Sequence, residues 1–258
     1  MHAAIIVSEK DPAGINVYDH LIRKKIPGPI NISIHKIKTE SIYAENIDKK
    51  IKSDIIIFAT KHVSKSKKPT LSVHTPGNFS KAQFGGYDKE LCICLPGLMK
   101  ESLILLDKKS QDTIYEATLE ATHHGPYIKT PCMFIEIGSS KEQWKDNKAG
   151  KIVSETIIEV LSGYEIDKYR TAVGFGGNHY CANFNKIMLE TEYAVGHICA
   201  KYNFKNLNKD LVDQMLKRSY SKNPEILLDW KGLGGQKQKL LNLLKELNLD
   251  WKKSKEIR

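Results

Sequence analysis

A chain of 258 residues that is 41% hydrophobic and 27% charged can bury an elaborated core, which excludes a disordered polymer. No apolar run approaches the roughly 20 residues of a membrane helix, and the first one, His2 to Val7, is too short for a signal peptide, so a soluble cytoplasmic protein without a membrane partner is expected. The formal charge of +10 favours a polyanionic partner such as nucleic acid, although only four of the 40 basic residues are arginine, a bias that genome composition or heat adaptation also produces.

In chain order, Ala3–Val7 reads as a strand, 14–25 as a helix, and Ile30–Ile37, Asp54–Thr60 and Thr70–His74 as further strands. The polar stretches Lys61–Pro69 and Pro76–Lys89 read as long loops over a site. A helix is expected over Leu98–Lys109, a strand over Pro131–Ile137, and a helix over Lys141–Leu161 opened by a Ser139/Glu142 capping box. Strands Arg170–Phe175 and Tyr193–Ala200 follow, then helices Lys209–Ser219, capped by Asn208, and Gln236–Leu247. The alternation defines an α/β fold with a mixed, mostly parallel sheet flanked by helices, in one domain over residues 1–258. Five cysteines without framework spacing read as free thiols, and the Cys92-x-Cys94 pair lies in an apolar run as core.

Histidines 62, 74, 123, 124 and 179 fall at the ends of candidate strands, where an open α/β sheet gathers its ligand-binding groups. In Val73-His74-Thr75-Pro76-Gly77-Asn78 a strand delivers an imidazole and then turns, with Asn78 offering an amide. His123 and His124 would face opposite sides of an extended strand, so that one reaches the cleft; a tight turn at Gly125-Pro126 would bring both. Glu136 is a carboxylate inside an apolar strand and therefore needs a partner, a metal or a proton. Gly174–Tyr180 lacks the third glycine of a dinucleotide loop and instead reads as a turn presenting Gly177, Asn178 and His179. His197 is open to two readings, a site imidazole or a satisfied core residue. There is no H-E-x-x-H, paired C-x-x-C, G-x-S-x-G or kinase signature.

Together the stretch Asp11 to Asn16, taken as an opening loop, with Val73–Asn78, Ala121–Pro126, Glu136–Ser139, Gly176–Tyr180, Gly196–Ile198 and Asp229–Gly232, resembles the archaeal and plant type of D-aminoacyl-tRNA deacylase along most of the chain. The resemblance implies a hydrolase releasing a free D-amino acid from tRNA, dependent on zinc, cytoplasmic and monomeric, with a core similar to peptidyl-tRNA hydrolase and phosphorylase-like folds. The resemblance does not specify the zinc ligands; from the residues themselves zinc is expected on some of His74, His123, Glu136 and His179, lowering the pKa of water toward ~7. His74, His124 and Glu136 are the expected catalytic residues, and Asn78, Gly177 and Asn178 the substrate-binding ones. Phosphate contacts are expected from Lys61, Lys65, Lys67 and Lys68, and from Lys237, Lys239, Lys252, Lys253 and Lys255. The competing readings are a metal-dependent hydrolase or phosphorylase of a small substrate, and a tRNA-binding protein without turnover.

Overall fold

The computed structural model describes residues 1–24, 30–165 and 167–257. Apolar, β-branched runs form β1 (His2–Ser8), β2 (Asn31–Ile37), β3 (Ile55–Lys61) and β4 (Thr70–His74), joined by β5 (Glu116–Leu119) and β6 (Cys132–Gly138). Their order is β2-β1-β3-β6-β4-β5. The first four in that order run parallel, β4 pairs antiparallel with β6, and β5 follows β4 in parallel. Strands β1, β3, β4 and β6 are buried almost throughout, as expected of strands covered on both faces, whereas edge strand β2 is half exposed.

One face of this sheet is covered by α1 (Pro12–Leu21), α3 (Pro96–Ser110) and α5 (Asn147–Gly163), with Val17, Leu21, Leu103 and Ile157 packed in the same cluster as Ile5, Ile57, Val73 and Ile135. The stretch expected as an opening loop is instead the start of α1. Asp11 Oδ1 accepts the Ala13 and Gly14 N–H groups at 2.9 Å each and Pro12 occupies the first turn. Residue 25, the expected end of that helix, lies outside the described residues. The helix expected over 141–161 is split into α4 (Lys141–Trp144) and α5, the latter capped by Asp146, which accepts the Lys148 N–H at 2.8 Å. The capping box is displaced by one residue: Gln143 Oε1 accepts the Ser140 N–H at 2.7 Å, while the Ser139 hydroxyl donates to the Lys68 carbonyl.

Strands β7 (Arg170–Phe175) and β8 (Tyr193–Cys199) do not join the first sheet. With β9 (Glu225–Leu228) and β10 (Lys252–Lys253) they build a second, all-parallel sheet in the order β10-β9-β7-β8. Its own apolar cluster includes Val173, Phe175, Leu211, Met215 and Leu244, from α7 (Lys209–Lys217) and α8 (Lys237–Glu246) among others. Asn208 caps α7 as expected, accepting the Leu211 N–H at 3.0 Å. Helix α3 packs on strands of both sheets. The short helix α2 (Ile47–Lys50), helix α6 (Ala182–Glu190) and strands β5, β9 and β10 were not anticipated. Strands of four residues or fewer are too short for alternation to declare itself. All five cysteines are free and buried, and no helix among the described residues is long and apolar enough to cross a membrane.

The second face of the main sheet carries Ala4, Ile6, Phe58, Cys132 and Phe134 under irregular segments that include Ala44, Cys92 and Ile128. Where β3 and β6 end, this face opens into a cleft.

Candidate active site

The cleft has a volume of about 540 Å³, and its walls include His62, His123, His124, Glu136 and His179. Period-two alternation sets one side of it. Thr60, Glu136 and Ser72 stand opposite one another on β3, β6 and β4, and His74 lies two residues along from Ser72, paired with Phe134 and stacked on its ring at 5.2 Å. The turn at Gly125-Pro126 decides the question left open for the adjacent histidines. Both rings enter the cluster, 4.3 Å apart between centroids, with His124 in the left-handed region at φ 45°. Gly125 makes this possible, because a Cβ there would meet Gly86 N at 2.2 Å.

The second sheet supplies the opposing wall. The Ala121 N–H donates to the His179 carbonyl at 2.8 Å and the Thr122 N–H to the Ile198 carbonyl at 3.1 Å, so segment 120–122 is held between the loop after β7 and strand β8. Glu120, at the head of that segment, is the residue that sequence reasoning missed. Its carboxylate is fully buried, 2.9 Å from His179 Nε2, 3.2 Å from His62 Nδ1 and 3.6 Å from His123 Nε2. The signal was available, since Glu120 interrupts the apolar run Ala117–Ala121 just before the paired histidines, as Glu136 interrupts its own strand. His62, noted as a strand-end imidazole but not placed in the site, also belongs here: Nδ1 lies 3.3 Å from Glu136 Oε2 and Nε2 lies 3.0 Å from the Tyr180 hydroxyl.

Protonation follows from these contacts. Burial opposes a charge on His62, but the Glu136 hydrogen bond and the charges of Glu120 and Glu136 outweigh it and raise the ring to about 10, so it is an imidazolium shared by two carboxylates. Burial likewise pushes Glu120 up, yet the approach of His179 and the charge of His62 bring it down to about 2. Burial first, then neighbouring histidines, hold His74 and His123 far below the ordinary imidazole range, and burial takes His124 down to about 4. Burial pushes Glu136 upward, the contact with His62 opposing it.

The neutral rings of His74, His123 and His124 turn lone pairs into the cluster. His123 and His124 hold their Nδ1 atoms against the carbonyls of Ala121 (2.8 Å) and Gly125 (2.6 Å), which leaves each Nε2 as an acceptor. The His123 lone pair therefore faces the Glu120 carboxylate, and His74 Nε2 meets His124 Nε2 at 3.2 Å. His74 Nδ1 and both Glu120 oxygens are buried without an aligned hydrogen bond. His124 Nε2 can accept from His74 Nε2, and the His62 imidazolium serves one side of Glu120, but the His123 lone pair facing Glu120 and the unpaired His74 Nδ1 are acceptors that a further cation would satisfy. Among the described residues, three groups have donor atoms all within 4.8 Å: His74, His123 and His124; His62, Glu120 and His179; and His74, Glu120 and Glu136. Nitrogen and carboxylate donors of this kind fit a divalent metal.

The remaining expected residues lie outside the His–Glu cluster. Asn78 donates its amide to the Gly85 carbonyl at 2.9 Å and braces the loop that carries Phe84. Asn178 is exposed, and the Gly177 N–H is engaged by the Gly232 carbonyl at 3.1 Å, which removes it as a donor to an oxyanion. His197 is a core residue, bonded to the Cys92 carbonyl at 2.9 Å and the Thr122 hydroxyl at 3.2 Å. Of the lysines, Lys61 pairs with Glu40 at 2.7 Å in the cleft wall, Lys68 with Glu116, and Lys252 with Glu225 at 2.5 Å. Lys237 and Lys253 lie over the Trp230 ring at 4.3 and 4.9 Å, and Lys239 donates to the Lys205 carbonyl. Lys65, Lys67 and Lys255 are exposed.

A mixed α/β scaffold whose two sheets press five imidazoles against two buried carboxylates defines a hydrolase-type, metal-ready centre. The family model for D-aminoacyl-tRNA deacylase matches residues 49–252, and the chain belongs to that family. It is 36% identical to the D-aminoacyl-tRNA deacylase of Pyrococcus abyssi over 96% of this chain and 98% of that one. With the enzyme of the same name from Thermococcus kodakarensis it shares 40% over 82% and 80%. The fold matches a crystal structure solved as a conserved protein of unknown function, AF0625, with a TM-score of 0.90, 32% identity, and coverage of 99% of this chain and 96% of that one.

Proposed function

We propose that this chain hydrolyses the ester bond of D-aminoacyl-tRNA at the His–Glu cleft, releasing the D-amino acid and intact tRNA, as a zinc-dependent cytoplasmic monomer. The observation that carries the reading is the convergence of His74, His123, His124, Glu120 and Glu136, whose possible ligand atoms fall in overlapping groups within 4.8 Å. His74, His123, Glu120, Glu136 and His179 are the residues that would hold the ion. When bound, zinc supplies Lewis acidity for water and for the ester carbonyl.

The chain's own groups do the rest. His124, oriented by its Nδ1 contact with the Gly125 carbonyl, presents Nε2 as the acceptor for a proton from the attacking water. His62 keeps the carboxylates of Glu120 and Glu136 apart and in place, and Tyr180 holds the far side of that ring. An aminoacyl ester is already reactive, so positioning and charge stabilisation suffice.

Matched D- and L-tyrosyl-tRNA, incubated with the protein with and without chelator and zinc add-back, test the reading. Hydrolysis of the D-ester alone, lost to chelator and restored by zinc, is expected. Absence of D-selective hydrolysis with zinc supplied overturns it.

A further inference from the structure

Every aminoacyl ester carries a free α-amine on the carbon next to the reacting carbonyl, and a substantial fraction of this amine is protonated near neutral pH. An ammonium brought into a half-buried cleft needs a carboxylate with acceptor capacity to spare.

Three carboxylates line the cleft, Asp11, Glu40 and Glu136, with Glu120 buried against the same histidines, and of these four all but Glu40 are already committed. Asp11 spends Oδ1 on the Ala13 and Gly14 N–H groups and Oδ2 on the Lys61 N–H at 2.9 Å. Glu120 and Glu136 share the His62 ring, and Glu136 also accepts the Thr60 hydroxyl at 2.7 Å. Both also belong to the donor groups described for the metal. Glu40 differs. It lines the same cleft as His123 and His124, its side chain is 40% exposed, and among the described residues its one partner is Lys61 Nζ, 2.7 Å from Oε1. Oε2 is left with its lone pairs free.

We propose that Glu40 is the receptor for the substrate's α-ammonium, so that the cleft selects esters with a free α-amine over N-acylated ones. The assignment rests on reading the cleft as the deacylase site. Lys61 holds the Glu40 carboxylate through Oε1, so its charge serves the cleft wall rather than a phosphate. Two anchors follow, the carbonyl at the histidines and the ammonium at Glu40, and they fix the α-carbon between them.

The zinc-loaded enzyme, Glu40→Gln and Lys61→Met are compared by KM and kcat on D-tyrosyl-tRNA and on N-acetyl-D-tyrosyl-tRNA. The wild type is expected to prefer the free amine. Glu40→Gln, which keeps shape and loses charge, should raise KM for D-tyrosyl-tRNA about tenfold with kcat little changed, and leave the acetylated ester untouched, because a charge-assisted hydrogen bond is lost only with the former. Lys61→Met should keep the preference for the free amine even where kcat/KM falls. Unchanged KM and unchanged preference in Glu40→Gln overturn the proposal, and so does a Lys61→Met enzyme that loses the preference equally, which would reduce Glu40 to a prop for Lys61. A wild type inactive on every D-ester is a separate result that removes the underlying reading and this assignment with it.

Discussion

Glu120 Oε2 lies 2.9 Å from His179 Nε2, and the contact joins the segment after β5 in one sheet to the loop after β7 in the other. The neighbouring Ala121 N–H to His179 carbonyl bond holds the same junction through the backbone. Glu120 is thus the carboxylate on which both halves of the site converge. Glu120→Gln preserves volume but removes the charge facing His62, His123 and His179. It should lower metal retention and reduce deacylation by at least about 10²-fold, with the far-UV spectrum unchanged. Metal content after dialysis and single-turnover hydrolysis check this; a metal-replete variant of normal rate would remove Glu120 from the centre.

Gly125 allows the loop bearing Phe84 to close on the paired histidines. A Cβ at this position would stand 2.2 Å from Gly86 N, 2.3 Å from Gly85 C and 2.7 Å from Ile42 O, all backbone atoms that cannot swing aside. Gly125→Ala should therefore cost about 1–3 kcal/mol in urea unfolding, the usual penalty of overpacking, and raise KM by displacing the wall formed by Ile42 and Phe84. Wild-type stability and KM in this variant would mean that the close approach is dispensable.

His197 sits in the core with both ring nitrogens engaged, outside the cleft lining. His197→Leu strands the Cys92 carbonyl and the Thr122 hydroxyl, at a cost of about 1–3 kcal/mol in stability. The folded variant should retain its metal. Denaturant melts paired with metal analysis separate this outcome from that of a ligand, whose loss would empty the site before it weakened the fold.

The lysines expected to meet phosphate differ in what they already touch. Lys65 and Lys67 project from the loop beside the cleft, whereas Lys252 is paired with Glu225. Neutralising Lys65 and Lys67 together should flatten the slope of log KM against log salt for D-tyrosyl-tRNA by about 0.7–0.9 per lysine, while Lys252→Met should leave it near the wild-type value. Equal slopes for all three proteins would place the tRNA backbone elsewhere.

Most of the main sheet is legible without coordinates, because β1, β3, β4 and β6 are continuous apolar runs bounded by turn residues, and Asn208 announces the start of α7. Local chemistry likewise marks His74, His123, His124, Glu136 and His179, since imidazoles at strand ends and a carboxylate inside an apolar strand each require an explanation from their own neighbours. Tertiary structure alone decides that Arg170–Phe175 starts a second sheet, because pairing partners far apart in sequence leave no local pattern. It also decides which polar groups are spent and which are free. Asn78 and Gly177 read as donors in the chain, yet their hydrogen bonds go to Gly85 and Gly232; Lys61 reads as a phosphate contact and Glu40 draws no reading, yet the two meet at 2.7 Å in the cleft wall. A side chain's type is written in the sequence, but its remaining hydrogen-bonding capacity depends on neighbours that only folding brings within reach.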